Sequence, residues 1–107
     1  MALAQPRLSI VIPAYQEAKR LGPTLEELAK YLRGRDDELE VIVVSGGSTD
    51  DTVSIALKFS HELGRRYKVI DLPRARGKGA AVRAGVREAS GKFVLFTDAD
   101  LDRKSVV

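Results

Sequence analysis

The sequence predicts an α/β fold in which a parallel β-sheet is covered by helices. Short runs of β-branched and other apolar residues alternate with segments whose apolar residues recur at helical spacing. Successive strands are predicted to begin about 25–35 residues apart, which is typical of strand–helix–strand units with right-handed crossovers. No linker or repeat divides the 107 residues, so we expect a single domain, 1–107.

The individual elements follow from local patterns. The predicted strands are 8–13, 40–44, 67–72 and 92–97, and the predicted helices are 21–32, 53–63 and a segment that begins at Gly79. Pro23 is acceptable in the first turn of the first helix, and Gly64 would end the second. Small residues of the third helix are expected on the face that approaches the sheet.

The composition excludes several kinds of site. The chain has no cysteine, so it cannot form a disulfide or a thiolate metal site. Its one histidine, His61, is too few for a histidine-based zinc site or a Ser-His triad. The apolar runs are too short to span a bilayer, and the N-terminus lacks the apolar core of a signal peptide. We therefore expect a cytoplasmic location.

The chain carries a formal net charge of +3. A basic surface suits phosphate-bearing ligands, nucleic acid or an anionic membrane face, and it is also common as an ordinary solvated surface. The basic clusters have little aromatic interleaving, so we do not expect nucleic acid as a partner.

Polar clusters follow every predicted strand. These clusters are 13–17, 45–51, 73–78 and 98–100. Because the carboxyl ends of parallel strands lie along one edge of a sheet, we expect the four segments to converge on one crevice.

Asp98 and Asp100 stand at the end of the fourth strand. Residues i and i+2 of an extended segment point to the same side, so both carboxylates would face one divalent cation. Oxygen-only ligands favour Mg²⁺ or Mn²⁺ over zinc, and such a cation would stabilise a departing nucleoside diphosphate. A helix N-cap or a solvated turn is the alternative interpretation.

The segment "RARGKGAAVRAG", residues 74–85, favours a phosphate ligand. Gly77 and Gly79 would let the backbone approach the ligand, Lys78 supplies a charge, and the helix start adds its dipole. The segment is not a P-loop, and a dinucleotide fingerprint fails at Val82. A glycine turn before a helix is the alternative.

Tyr15 and Glu17 follow the first strand. Glu17 would accept hydrogen bonds from a base or ribose, or it is a first-turn glutamate that the helix dipole favours. Tyr15 would stack on a base, or it packs in the core.

Four ordered motifs resemble the inverting family 2 glycosyltransferases of the GT-A fold. They are "IVIPAYQEAKRL", "EVIVVSGGSTDDT", "RGKGAAVRAG" and "VLFTDADL", and they extend from about Leu8 to Leu101. Among that family, the chain looks most like the polyprenyl-phosphate (dolichyl-phosphate) glucose and mannose synthases. The resemblance implies the nucleotide-binding half of the GT-A fold, a Rossmann-like parallel sheet with helices on both faces.

The resemblance also implies a nucleotide-sugar site. The nucleoside pocket would be lined by Pro13, Tyr15, Glu17, Ser45 and Gly46. The phosphate half would contain Lys78, with Asp98 and Asp100 as the catalytic, metal-binding DxD motif.

In that family a hexose passes from UDP-glucose or GDP-mannose to a lipid phosphate at a membrane surface, with inversion and with Mg²⁺ or Mn²⁺. The acceptor phosphate is already a nucleophile, so help to the leaving group is the main catalytic demand. The resemblance therefore makes the cytosolic face of a membrane an alternative location.

The chain departs from the family pattern at Ser45 and Gly46, where the family usually has two aspartates. A serine hydroxyl hydrogen-bonds more weakly than a carboxylate, so we expect altered or weaker base recognition. The chain also stops soon after Asp100, and we expect a fragment of a longer enzyme that does not turn over by itself. A soluble or polysaccharide acceptor, or a non-catalytic nucleotide-binding fragment, are the alternative functions.

Overall fold

A computed structural model describes residues 5–34, 38–47, 49–64, 66–74, 77–98 and 103–106. The strands are β1 (Leu8–Ala14), β2 (Leu39–Ser45), β3 (Tyr67–Asp71), β4 (Phe93–Thr97) and β5 (Arg103–Val106). The helices are α1 (Ala18–Leu32), α2 (Thr52–Lys58) and α3 (Lys78–Glu88). The predicted alternation of strands and helices is therefore confirmed as far as β4.

The strands form one sheet in the order β3-β2-β1-β4-β5. The pairs β1–β2, β1–β4 and β2–β3 are parallel, and β5 pairs antiparallel with β4. The chain moves outward from β1 through β2 to β3 and then crosses back to β4 on the other side of β1. This reversal creates a topological switch point between β1 and β4, where ligands bind in open α/β sheets.

Helices cover both faces of the sheet, as predicted. On one face, the leucines of α1 and Ala56 of α2 pack with Ile10, Ile12 and Val43. On the other face, Ala81 of α3 packs with Val11, Ile42 and Val44. Consecutive residues of β1 and β2 thus serve two cores, which explains why these strands are continuous apolar runs.

α1 and α2 differ from the sequence prediction at their ends. α1 begins at Ala18, because the Glu17 carbonyl already accepts hydrogen bonds from the Arg20 and Leu21 amides. Pro23 therefore lies in the second turn rather than the first. α2 ends at Lys58 instead of 63, and turns continue to Gly64, whose φ is 80°.

β5 was not predicted, because "RKSV" has neither an apolar run nor alternation that would indicate a strand. Its backbone pairs with the outer edge of β4, from Leu95 opposite Val106 to Thr97 opposite Arg103. A register irregularity lies between Phe96 and Thr97. Among the described residues, no helix is long and apolar enough to cross a membrane.

A buried carboxylate joins the amino-terminal ends of the strands. The Glu40 side chain is 3% exposed and accepts hydrogen bonds from Ser9 Oγ (2.7 Å), the Ser90 amide (2.9 Å) and Ser90 Oγ (3.1 Å). Lys68 Nζ lies 3.3 Å from Glu40 Oε2. Burial raises the pKa of Glu40, but the hydrogen bonds and Lys68 outweigh it and hold the pKa below its ordinary value. This network ties the segment before β4 to β1 and β2.

Candidate functional site

A cavity of about 570 Å³ opens at the switch point. Its walls come from the carboxyl ends of β1, β2 and β4 and from the start of α3. The lining residues are Pro13, Ala14, Tyr15, Glu17, Arg20, Gly46, Gly77, Lys78, Ala81 and Asp98. The predicted convergence of strand-end segments on one crevice thus agrees with the structure for four residues after or at the end of β1, for Gly46, for 77–78 and for Asp98. The four residues are Pro13, Ala14, Tyr15 and Glu17.

One wall combines an aromatic ring with a carboxylate. Tyr15 is 53% exposed, and the Glu17 side chain is 23% exposed. The Gly46 amide donates to the Ala14 carbonyl at 2.9 Å, so the backbone after β2 stays against the end of β1. An exposed ring beside a glycine leaves room for a flat ligand to stack, and a core role for Tyr15 does not fit this exposure.

Gln16 links the segment after β1 to the segment after β2. Its Oε1 accepts hydrogen bonds from the Thr49 amide (2.7 Å) and the Asp50 amide (3.2 Å), and its Nε2 donates to Thr49 Oγ1 at 3.1 Å. The φ of Gln16 is 54°, a left-handed conformation that costs free energy in a residue other than glycine. The contacts of the side chain offset this strain locally.

Hydrogen bonds in the opposite direction complete the link. The Glu17 amide donates to Thr52 Oγ1 (3.0 Å) and the Ala18 amide donates to Asp50 Oδ2 (3.3 Å). Asp50 Oδ1 accepts from the amide and the hydroxyl of Thr52. These hydrogen bonds, with the Thr52 hydroxyl first, hold the pKa of Asp50 below its ordinary value. The first two loops are therefore positioned as one unit.

Another wall of the cavity carries an ion pair. Lys78 is the first residue of α3, and its Nζ contacts Oδ1 of Asp98, which directly follows β4. Their side chains are 50% and 29% exposed. Gly77 precedes the helix with a φ of 88°, which suits glycine and lets the chain turn sharply into α3. The start of α3 thus faces the cavity with a cation and the positive end of the helix dipole.

Arg20 is a lining residue that the sequence interpretation missed. It stands one helical turn after Glu17, and its Nη1 lies 3.8 Å from Glu17 Oε2. The available signal was the spacing of three residues between them, which places both side chains on one helix face. The predicted helix begins only at residue 21, so this spacing lay outside it.

The predicted site residues do not all reach the cavity. Pro13, Tyr15, Glu17, Gly46, Lys78 and Asp98 line it together. Ser45 is 1% exposed at the end of β2 and is not among the lining residues, so its role in base recognition stays a prediction. Asp100 lies outside the described residues.

The sheet order and the cavity define an α/β domain with a cavity at its topological switch point, the place where open α/β sheets bind ligands. Residues 9–101 match the family model described as Glycosyl transferase family 2. The chain belongs to that family, as the sequence motifs indicated.

Curated relatives show which members of the family the chain is similar to. Over 100 residues the chain is 44% identical to the dolichyl-phosphate beta-glucosyltransferase of Mus musculus and 40% identical to that of Homo sapiens. Each alignment covers 88% of this chain and 31% of the relative. A dodecaprenyl-phosphate galacturonate synthase of Rhizobium johnstonii is 34% identical over 94 residues, which cover 88% of this chain and 28% of that protein. The chain thus spans about a third of the length of the curated relatives it matches.

Solved structures agree with the fold. S. aureus TarS 1–349 in complex with UDP-GlcNAc is 35% identical, with a TM-score of 0.80 over 88% of this chain and 26% of that one. The mannosyltransferase PcManGT from Pyrobaculum calidifontis, in complex with GDP-Man and Mn²⁺, is 31% identical. Its TM-score is 0.77 over 91% of this chain and 28% of that one.

Proposed function

We propose that this chain is the nucleotide-sugar-binding part of a hexosyltransferase that transfers the sugar to a polyprenyl phosphate such as dolichyl phosphate, with inversion. The observation that carries the proposal is one cavity whose walls combine an exposed aromatic ring, a carboxylate at a strand end and a lysine at a helix start. The names of the relatives support a lipid-phosphate acceptor.

The two walls suit the two halves of a nucleotide sugar. Tyr15 would stack on the base, and Glu17 would accept hydrogen bonds from the base or ribose, with Pro13 and Gly46 against the nucleoside. Lys78 would bind the diphosphate, because a flexible ammonium beside a helix N-terminus attracts phosphate oxygens.

The donor set fits a hard divalent cation. Asp98 offers carboxylate oxygen at the cavity, and Asp100 would add a second carboxylate. Mg²⁺ and Mn²⁺ take one or two carboxylates and leave other positions to substrate phosphates and water. When bound, the cation would neutralise charge on the departing nucleoside diphosphate.

The remaining task of the described residues is to bind and orient the donor. A phosphate acceptor is already a nucleophile, so this part of the enzyme needs no general base. The acceptor would approach at the cytosolic face of a membrane, and its site would involve the parts of the relatives that this chain does not span. A soluble or polysaccharide acceptor remains the second candidate, because the solved neighbours include a UDP-GlcNAc complex of a protein not named for a lipid.

Calorimetric titration of the full chain would test the donor site. UDP and GDP are each added with and without Mn²⁺, to the wild type and to Asp98→Asn. We expect one nucleotide to bind only when Mn²⁺ is present. Its affinity should fall at least about tenfold in Asp98→Asn, because a neutral amide replaces the charged carboxylate that would bind the cation. Asp71→Asn is the matched control, because Asp71 is exposed at the end of β3 and is not among the cavity-lining residues.

The outcome separates the candidate functions. Binding that is unchanged by Asp98→Asn would contradict the metal role, and absence of binding for both nucleotides would contradict a donor site in this chain. Transfer of labelled glucose or mannose to dolichyl phosphate would then test the acceptor.

A further inference from the structure

The charged side chains that line the cavity form two ion pairs. Arg20 accompanies Glu17 at 3.8 Å, and Lys78 contacts Asp98. Among the lining residues that the structure describes, positive and negative charges therefore cancel. A free cation or a free diphosphate would each meet a side chain that already has an oppositely charged partner.

Lys78 and Asp98 are held by different elements. Lys78 begins α3 and Asp98 follows β4, so their contact joins two elements that line the cavity. Because the Lys78 side chain is half exposed and lysine has a flexible stem, its ammonium can leave this contact without disturbing the core. An exposed ion pair is also weak enough to be exchanged by a ligand.

We propose that Lys78 is the resting counter-ion of Asp98 and exchanges partners when a metal–nucleotide complex enters. The ammonium then moves to the diphosphate, and the carboxylate turns to the cation. This inference rests on the proposed function, since it takes the diphosphate as ligand and Asp98 as metal ligand. Its consequence is that metal and nucleotide each bind weakly alone and bind well together.

The charges explain this coupling. With Lys78 in place, a divalent cation on Asp98 would lie close to an ammonium and be repelled by it. A diphosphate removes the repulsion, because it draws the ammonium away and adds its own negative charge. Lys78 thus opposes binding of the metal alone and favours binding of the pair.

The test measures Mn²⁺ binding to the full chain without nucleotide, from the electron paramagnetic resonance signal of free Mn²⁺. Lys78→Met should bind Mn²⁺ about two- to fivefold tighter than the wild type, which corresponds to loss of an exposed ion pair. Lys78→Arg keeps the charge and should resemble the wild type.

Lys92→Met is the matched control, because it removes the same charge from an exposed residue that is not among the cavity-lining residues. It should leave Mn²⁺ binding near the wild-type value. In Lys78→Met/Asp98→Asn the gain should disappear, which assigns the measured site to Asp98. Circular dichroism verifies that each variant is folded, and Lys78→Gln replaces the methionine variant if that one is not.

The affinity for nucleotide should change in the opposite direction to the affinity for Mn²⁺ alone. UDP and GDP, titrated with Mn²⁺ present, should bind Lys78→Met more weakly than Lys92→Met. Mn²⁺ binding by Lys78→Met that is no tighter than by Lys92→Met would overturn the inference, as would no measurable Mn²⁺ binding in any variant. A third outcome is that Lys78→Met binds Mn²⁺ more tightly but neither the wild type nor any variant binds UDP or GDP. That result would contradict the proposed function and the exchange of partners, but it would still support the ion pair of Lys78 and Asp98 in the absence of ligand.

Discussion

The contact between α3 and the sheet is expected to be intolerant of a single methyl group. A Cβ added at Gly85 would lie 2.3 Å from Val11 Cγ1 and 3.2 Å from Val44 Cγ2. Val11 and Val44 are fully buried strand residues, so neither can move aside. Overpacking of this kind costs about 3 kcal/mol at the upper end, and alanine returns about 1 kcal/mol of helix propensity. We expect Gly85→Ala to destabilise the chain by about 2 kcal/mol.

Thermal unfolding followed by circular dichroism measures the effect. A loss of about 2 kcal/mol corresponds to a melting temperature about 10 °C lower in a domain of this size. Gly79→Ala is the matched control, because a Cβ there would meet only the end of the Arg83 side chain, at 3.4 Å. Equal melting temperatures for the two alanine variants would refute the close approach at Gly85. Val11→Ala combined with Gly85→Ala should lose less stability than the sum of the two single variants, since the valine truncation removes the clashing methyl groups.

Three further substitutions examine other parts of the fold and site. Glu40→Gln should cost about 1–3 kcal/mol in urea unfolding, because an NH₂ group replaces one carboxylate oxygen and can neither accept from Ser90 Oγ nor pair with Lys68. Folding lowers the pKa of Glu40 from its ordinary value of 4.5, so the ionised side chain stabilises the fold fully above pH 4.5. This stabilisation is lost as the pH falls through the pKa of the folded state. Glu40→Gln should therefore lose less stability than the wild type on acidification. Gln16→Ala should weaken nucleotide binding in calorimetry, because it removes the hydrogen bonds to the segment after β2. Gln16→Asn should retain more of the affinity, because asparagine tolerates positive φ. Equal affinities of the two variants would contradict the role of Gln16 in joining the two segments. Ser45→Asp should tighten nucleotide binding but lower the melting temperature, because the position is 1% exposed; unchanged affinity would reject the base-recognition hypothesis.

The fold was predictable because its signals are local. β1 and β2 are rich in β-branched residues, and α1 between them carries a stripe of leucines at helical spacing. The ends of helices were less predictable, since a single hydrogen-bonding group decides them, such as the Glu17 carbonyl at the start of α1. β5 could not be predicted, because its pairing depends on the exposed edge of β4 rather than on its own composition.

The sequence predicted which segments form the site, but it did not predict the contacts between their side chains. The sequence placed Glu17, Lys78 and Asp98 after strands or at a helix start, and the sheet order then brings them to one cavity. It did not indicate that Lys78 pairs with Asp98, because twenty residues and a helix separate them. Nor did it indicate that Ser45 would be buried, since the last residue of a strand can point to either face.

The two walls of the cavity are held by different physical means. Side-chain hydrogen bonds from Gln16 and Asp50 position the wall with Tyr15, whereas close packing at Gly85 positions the helix that carries Lys78. Hydrogen bonds at the surface can be remade by water, but a methyl clash in the core cannot. We therefore expect loss of the Gln16 link to act on nucleoside affinity and displacement of α3 to act on diphosphate affinity. Uridine and UDP titrated against Gln16→Ala and Gly85→Ala would separate these effects, and equal losses for both ligands in both variants would show that the walls act as one unit.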